Sequence, residues 1–166
     1  MGDERLADYL ERLRRMKSFD PDRELPEHLV LSEDDAVWLD PAVTGNPSRI
    51  GALPGLPTNT LDIFLQEIPP GTATDLQRHP HESIHIVLSG AGYSEIGERV
   101  VHWRAGCFIY TPPWAWHRHY NTSDETARMI GVENSKLLEH LGVARRESLG
   151  SISYRDRPQA GKSPTH

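Results

Sequence analysis

The chain has a single cysteine, Cys107, among 166 residues. No internal disulfide can form, and such sparse cysteine suits a reducing compartment, so a cytoplasmic location is expected. Long apolar runs are also missing: none approaches the roughly 18 residues of a membrane-spanning helix. Positive charge is in short supply, with a formal net charge of −6, which leaves no basic footprint for nucleic acid. The start of the chain, MGDERLADYLERLRR, is too charged for a secretory signal. Leu6 stands where an N-myristoylation pattern needs Ser or Thr. No internal repeat or low-complexity block occurs. Hydrophobic residues make up only 37%, whereas glycine and proline are plentiful at 13 each. That balance favours one loop-rich β domain with extensions over a helical bundle.

Histidine is what the chain has instead. Six of its nine lie between Gly71 and Asn121: His79, His81, His85, His102, His117 and His119. On a strand, side chains alternate faces with period two, so His79, His81 and His85 are expected on one face. His117 and His119 repeat the two-residue step after Pro112 and Pro113. Two such strands facing each other across a barrel make a nitrogen-rich metal pocket. Imidazole binds Zn, Fe, Cu and Ni alike, so the cluster does not name its metal. Glu82 has the wrong parity for an unbroken strand and is either an added oxygen ligand or a surface charge. Pro80 is placed to bulge the strand at His81. His102, of opposite pairing beside Trp103, reads as structural, and Cys107 as packing.

Along the chain, Leu6, Tyr9, Leu10, Leu13 and Met16 recur at helical steps over residues 3–17, predicting an amphipathic helix. So short a helix is marginal alone and is expected to dock on the body or on a second subunit. Residues 1–27 are this helix and its connector, 28–135 the β body, and 136–166 a short helix with a polar, flexible tail or loose crossing arm. HLVLSEDDAVWLD (28–40) holds two short strand-like pieces, and the Pro- and Gly-rich stretch 41–60 reads as a long loop, a lid or an interface. Strands are predicted at 60–68, 83–90, 92–97, 98–103, 107–111 and 126–133, then a helix over 135–141.

Two stretches resemble the paired motifs of the cupins. The second motif, G-x5-P-x-G-x2-H-x3-N, fits at Gly106, Pro112, His117 and Asn121, with Trp114 where the motif has glycine. The first, G-x5-H-x-H-x3/4-E-x6-G, fits in two registers. Anchored on Gly71 and Gly90, it places Gln77 and His79 at the histidine positions and Ser83 at the glutamate. Shifted by two, it places His79, His81 and His85 there and ends at Gly92, with Ala73 replacing the leading glycine. Both registers keep His79. The string TPPWAWHRHYN is similar to a segment of gentisate-type ring-cleaving dioxygenases, cupins that use Fe(II) and O₂ and lack the motif glutamate. This chain departs from them in Gln77, which replaces the first histidine of their pair, and in having one such domain where they usually have two.

The resemblance implies an all-β, cupin-type double-stranded β-helix (a jelly-roll barrel) with an N-terminal helix and a short C-terminal helix. It implies one divalent transition metal, Fe(II) favoured with Zn, Mn or Ni as alternatives. The ligands are drawn from His79, His81, His85 and His117, with His119 as the residue that orients substrate or moves a proton. Gln77, Trp114 and Trp116 are the candidate substrate contacts. Arg78 and Arg118 are expected in solvent, with attraction of a substrate carboxylate as the alternative. The function implied is a dioxygenase-like oxidoreductase acting on a small aromatic or carboxylate-bearing substrate. A non-redox metal isomerase or lyase and a non-catalytic small-molecule binder remain the alternatives. The expected partners are that substrate and a second copy of the chain, with no nucleic acid and no membrane.

Overall fold

Period-two alternation governs the body of the chain. On β5 (Ser83–Ser89), Ser83, His85 and Val87 are buried while Ile84 and Leu88 face outward. The same rhythm places Ala127, Met129 and Gly131 of β10 (Ala127–Glu133) inside. In the computed structural model, which describes residues 2–17 and 25–158, strands of this kind form two antiparallel sheets. The six-stranded sheet runs in the order β1-β2-β3-β10-β5-β8, with β1 Val37–Leu39, β2 Arg49–Ala52, β3 Asp62–Ile68 and β8 Phe108–Thr111. The five-stranded sheet runs β11-β4-β9-β6-β7, with β4 Gln77–Arg78, β6 Ala91–Ile96, β7 Arg99–Arg104, β9 His117–Asn121 and β11 Glu147–Ser148.

The apolar core lies between the sheets and consists of Ile68, Val87, Trp103, Ile109, Ala127 and Met129, with Cys107 packed at its margin. Burial of such side chains is worth about 1.5–3 kcal/mol each, and it holds the sheets face to face. Between β5 and β6 the chain turns at Gly90, whose φ is 82°. A Cβ there would lie 2.7 Å from the Ala127 Cα, so only glycine lets the turn sit against β10.

Three segments differ from their expected form. Residues 41–60 are not a free loop: they carry a helical turn, α2 (Pro41–Thr44), and then β2, which pairs with both β1 and β3. Gly51 on β2 stands opposite Trp38 and Leu65, and its missing side chain leaves room for the indole. Of the two pieces expected in 28–40, only the second is a strand, preceded by a 3₁₀ turn at Glu33–Asp35. After α3 (Ser135–His140), the polar segment crosses the five-stranded sheet and pairs with β4 through β11. Arg118, buried at 9% exposure, donates to the Ser151 and Ile152 carbonyls of that segment, so it is covered rather than in solvent.

The N-terminal helix is present as α1 (Gly2–Lys17). Leu6, Tyr9 and Leu10 on it are about half exposed. The connector around Pro21 and the tail beyond residue 158 lie outside the described residues. No described helix is long and apolar enough to cross a membrane.

Candidate metal centre

The chain leaves β4 at Arg78, bends at Pro80 and enters β5 at Ser83, passing from the five-stranded to the six-stranded sheet. His79 and His81 therefore sit on a bend and not on one continuous strand with His85, because proline cannot continue a ladder. The bend stacks the two imidazoles, ring centres 3.6 Å apart and planes within 7°. The His117 ring stands against His79 from β9, at 4.7 Å and nearly perpendicular. Residues from both sheets thus reach one place.

Hydrogen bonds set which nitrogens are free. His79 Nδ1 lies 2.9 Å from the His81 carbonyl, and His117 Nδ1 lies 3.0 Å from the Ala115 carbonyl. A carbonyl only accepts, so both Nδ1 atoms carry the proton and both Nε2 atoms present lone pairs, the form in which histidine binds metals. His117 Nε2 is buried with no partner. Burial, followed by the nearby His81, holds the His79 pKa below its ordinary value. For His117 burial, followed by His79, depresses it to about 3. Neutral imidazoles at pH 7 are the result.

Glu133 joins them. Among the described residues, His79, His81 and Glu133 form a group whose candidate ligand atoms all lie within 4.8 Å of one another. Glu133 Oε2 is 3.2 Å from His81 Nε2. Burial pushes the Glu133 carboxyl up, but the hydrogen bond and charge of His81 outweigh it and hold the group ionised. Its strand neighbours are Asp62 on β3 and Ser83 on β5. Burial, and then Glu133, raises the Asp62 pKa. Sequence reasoning missed Glu133, although strand parity marks it: it continues the inward series Ala127, Met129, Gly131.

His85 and His119 form a second, deeper pair with ring centres 4.6 Å apart. Both are buried, and the His85 pKa falls to about 4, chiefly through burial. The His119 pKa is also lowered by burial, and then by His85. His119 Nδ1 is 2.7 Å from Ser94 Oγ, which in turn accepts the Trp103 indole N–H at 2.9 Å. His119 Nε2 has no partner. Glu82 points away and accepts from the Tyr110 hydroxyl, and His102 is exposed on β7.

The Pro-Pro-Trp turn bears on the site through its backbone. Trp114, where the sequence motif has glycine, takes the left-handed conformation at φ 63°, and its N–H donates to the His79 carbonyl at 2.7 Å. Its ring, and that of Trp116, both stack on Arg78. Neither indole lines the cavity beside the histidines. Asn121, the last motif position, is buried and ties β9 to the Ile68 and Glu125 carbonyls.

That cavity, of about 300 Å³, opens over His79, His81, His85 and Glu133. Leu39, Ile50, Ala52 and Phe64 form its apolar wall, and Gln77 and Arg146 its polar rim. Gly131 makes the wall possible: a Cβ there would lie 2.2 Å from the Phe64 ring, which meets His85 edge-on. The residues fit a divalent transition metal. Imidazoles and a carboxylate converge, and lone pairs that burial would otherwise leave stranded need a partner.

Residues 64–133 match the profile of the Cupin domain family. Over 70 residues the chain is 41% identical to gentisate 1,2-dioxygenase 1 of Aquipseudomonas alcaligenes, covering 41% of this chain and 20% of that protein. It is 29% identical over 103 residues to 5-aminosalicylate 1,2-dioxygenase of Comamonas sp, covering 62% of this chain and 26% of the other. The chain thus spans only a fifth to about a quarter of the length of these relatives. The crystal structure of a salicylate 1,2-dioxygenase from Pseudaminobacter salicylatoxidans superposes with a TM-score of 0.55 at 17% identity, covering 70% of this chain and 30% of that one.

Proposed function

We propose, from the match of residues 64–133 to the Cupin domain profile, that the chain is a metal-dependent, non-haem Fe(II) dioxygenase-like oxidoreductase. Its substrate is a small aromatic or carboxylate-bearing molecule. The observation that carries this reading is the meeting of His79, His81 and Glu133 within 4.8 Å, with the perpendicular His117 ring against them. These four residues would hold the ion, Fe(II) by preference, with Zn, Mn or Ni served by the same donors. Iron held there would supply redox chemistry toward O₂ and the substrate.

The chain's own residues do the rest. Leu39, Ile50 and Phe64 exclude water and offer a flat apolar wall to a ring. His85 faces the same cavity as either a further ligand or a substrate contact. His119, neutral and oriented by Ser94, holds or moves a proton at its unpartnered Nε2. Gln77 reaches the rim as a substrate contact, while Trp114 acts through its backbone N–H on the His79 carbonyl, from the turn that leads into His117.

The test is anaerobic loading with Fe(II), followed by O₂ uptake and ring-cleavage absorbance with gentisate, 5-aminosalicylate and salicylate. Iron-dependent O₂ consumption with one of them is expected. Metal binding without O₂ uptake on any of them sinks the oxygenase reading. A non-redox isomerase or lyase is the second reading, favoured by one observation: Asp62, protonated more readily than usual beside ionised Glu133, is an acid–base pair that needs no oxygen. Turnover in the absence of O₂ would select it. A homodimer completes the proposal, since Ile84, Leu88, Phe108 and Tyr110 leave an apolar outer face on β5 and β8. Light scattering that returns a monomer removes it.

A further inference from the structure

The cation at the cavity rim comes from outside the cupin domain. Arg146 precedes β11 on the segment that crosses the five-stranded sheet, and among the described residues it is the one Lys or Arg that lines the cavity. Its position is fixed from several sides. Arg146 Nη2 donates to Asp75 Oδ2 at 2.7 Å, and its Nε donates to Gln77 Oε1. Asp75 is fully buried, and Ser148 Oγ donates to the same carboxylate oxygen at 2.6 Å. The backbone that follows it is pinned: Leu149 N–H donates to the Leu76 carbonyl at 2.9 Å, and Leu76 N–H to the Gly150 carbonyl at 2.8 Å. Gln77 is the register partner of His117, so the guanidinium sits at the end of the cavity nearest the histidines.

Two features make this more than a structural ion pair. Asp75 and Gln77 occupy Nη2 and Nε, leaving Nη1 with no partner among the described residues, and the side chain keeps 43% exposure. A planar guanidinium held this way matches a carboxylate, with its fork already oriented. The wall of Leu39, Ile50 and Phe64 is apolar, so the one cationic side chain among the described residues that an anionic group on a ligand can meet in the cavity is at the rim.

We propose that Arg146 is the specificity-determining residue of this cavity. It receives the carboxylate of a small aromatic acid whose ring lies against Leu39, Ile50 and Phe64, and Asp75 is its positioning residue. The inference rests on the reading that the cavity takes a small aromatic ligand. It adds that a segment beyond the matched domain selects the anion.

Calorimetric titration of the full chain, at fixed metal loading, with salicylate and its uncharged counterpart salicylamide tests it. Wild type is expected to prefer salicylate, and Arg146→Gln in an Asp75→Asn background to lower that preference at least tenfold. The paired change avoids stranding a buried carboxylate. Arg146→Lys, which keeps the charge and the Asp75 partner but loses the fork, is expected to fall between and guards against a folding artefact, with melting curves taken for each. A preference unchanged in both variants assigns the anion to the metal or another group and overturns the proposal, as does a wild type that binds both probes equally; either leaves the aromatic-ligand reading standing. Wild type binding neither probe removes that reading and the proposal together.

Discussion

The two ends of the barrel interior are built from the same strands and do opposite work. On β5, Val87 belongs to one end and His85 and Ser83 to the other; on β10, Met129 and Ala127 stand against Glu133; on β3, Ile68 against Asp62. One to three steps of two residues along a strand separate close-packed hydrocarbon from a nest of imidazoles and carboxylates. At the polar end Ser83 Oγ, Thr111 Oγ1, His85 Nδ1, His117 Nε2 and His119 Nε2 are buried and unpartnered. Each such group costs about 1–3 kcal/mol. The apolar end has to offset that cost, and the site exists because one half of the barrel is stable enough to carry the other.

The comparison breaks most readily by removing a ligand. His117→Ala should lower metal affinity at least hundredfold, because a complete site worth roughly 10–16 kcal/mol divides among four donors. Metal content after dialysis measures it, and circular dichroism should report an intact β fold. A variant that keeps its metal would show that the polar end does not bind through His117.

Acid separates the two ends without mutation. In metal-free protein the folded pKa values of His85, about 4, and His117, about 3, lie below the ordinary 6.5. As pH falls through 6.5 the unfolded chain takes up protons that the folded chain refuses, so stability declines. The loss runs from pH 6.5 down to the folded values and is on the order of 3 kcal/mol for His85 and 5 kcal/mol for His117. Denaturant midpoints at pH 7 and pH 4.5 measure it, and a flat profile would mean that the imidazoles are not desolvated.

Met129→Ala tests the other end. Met129 is 1% exposed between Val87 and Gln66 in strand register, and truncation should cost about 2–4 kcal/mol by transfer and cavity terms. Metal stoichiometry of the folded fraction should be unchanged. Loss of metal together with stability would make the two ends a single unit.

Legibility in the sequence followed the same division. Strands whose inward faces are plainly apolar or plainly histidine, such as β5, β8 and β10, could be read from alternation and turn residues. β2 could not, because Arg49, Ile50, Gly51 and Ala52 have little strand character alone and are held by β1 on one side and β3 on the other. β4 and β11 are two residues each and exist through their pairing. His79 and His117 were legible as partners from the motif spacing. That His79 and His81 reach one spot by a proline bend was not, since parity describes only an unbroken strand. Glu133 was passed over because it ends its strand, where the polar side of the interior begins.

The smallest effect is the sharpest control. His102 lies on β7 opposite Tyr93, exposed on the outer face of the five-stranded sheet, with the two rings 6.0 Å apart. His102→Ala should shift stability by no more than about 0.5 kcal/mol, as exposed substitutions do. It should leave metal content at the wild-type value. Its one-residue neighbour Trp103 is 4% exposed and donates to Ser94 behind His119, so a single step in parity separates an idle histidine face from a side chain that supports the site. If His102→Ala lost metal as His117→Ala is expected to, richness in histidine and not its place inside the barrel would be what binds the ion, and the contrast between the two ends would have no bearing on function.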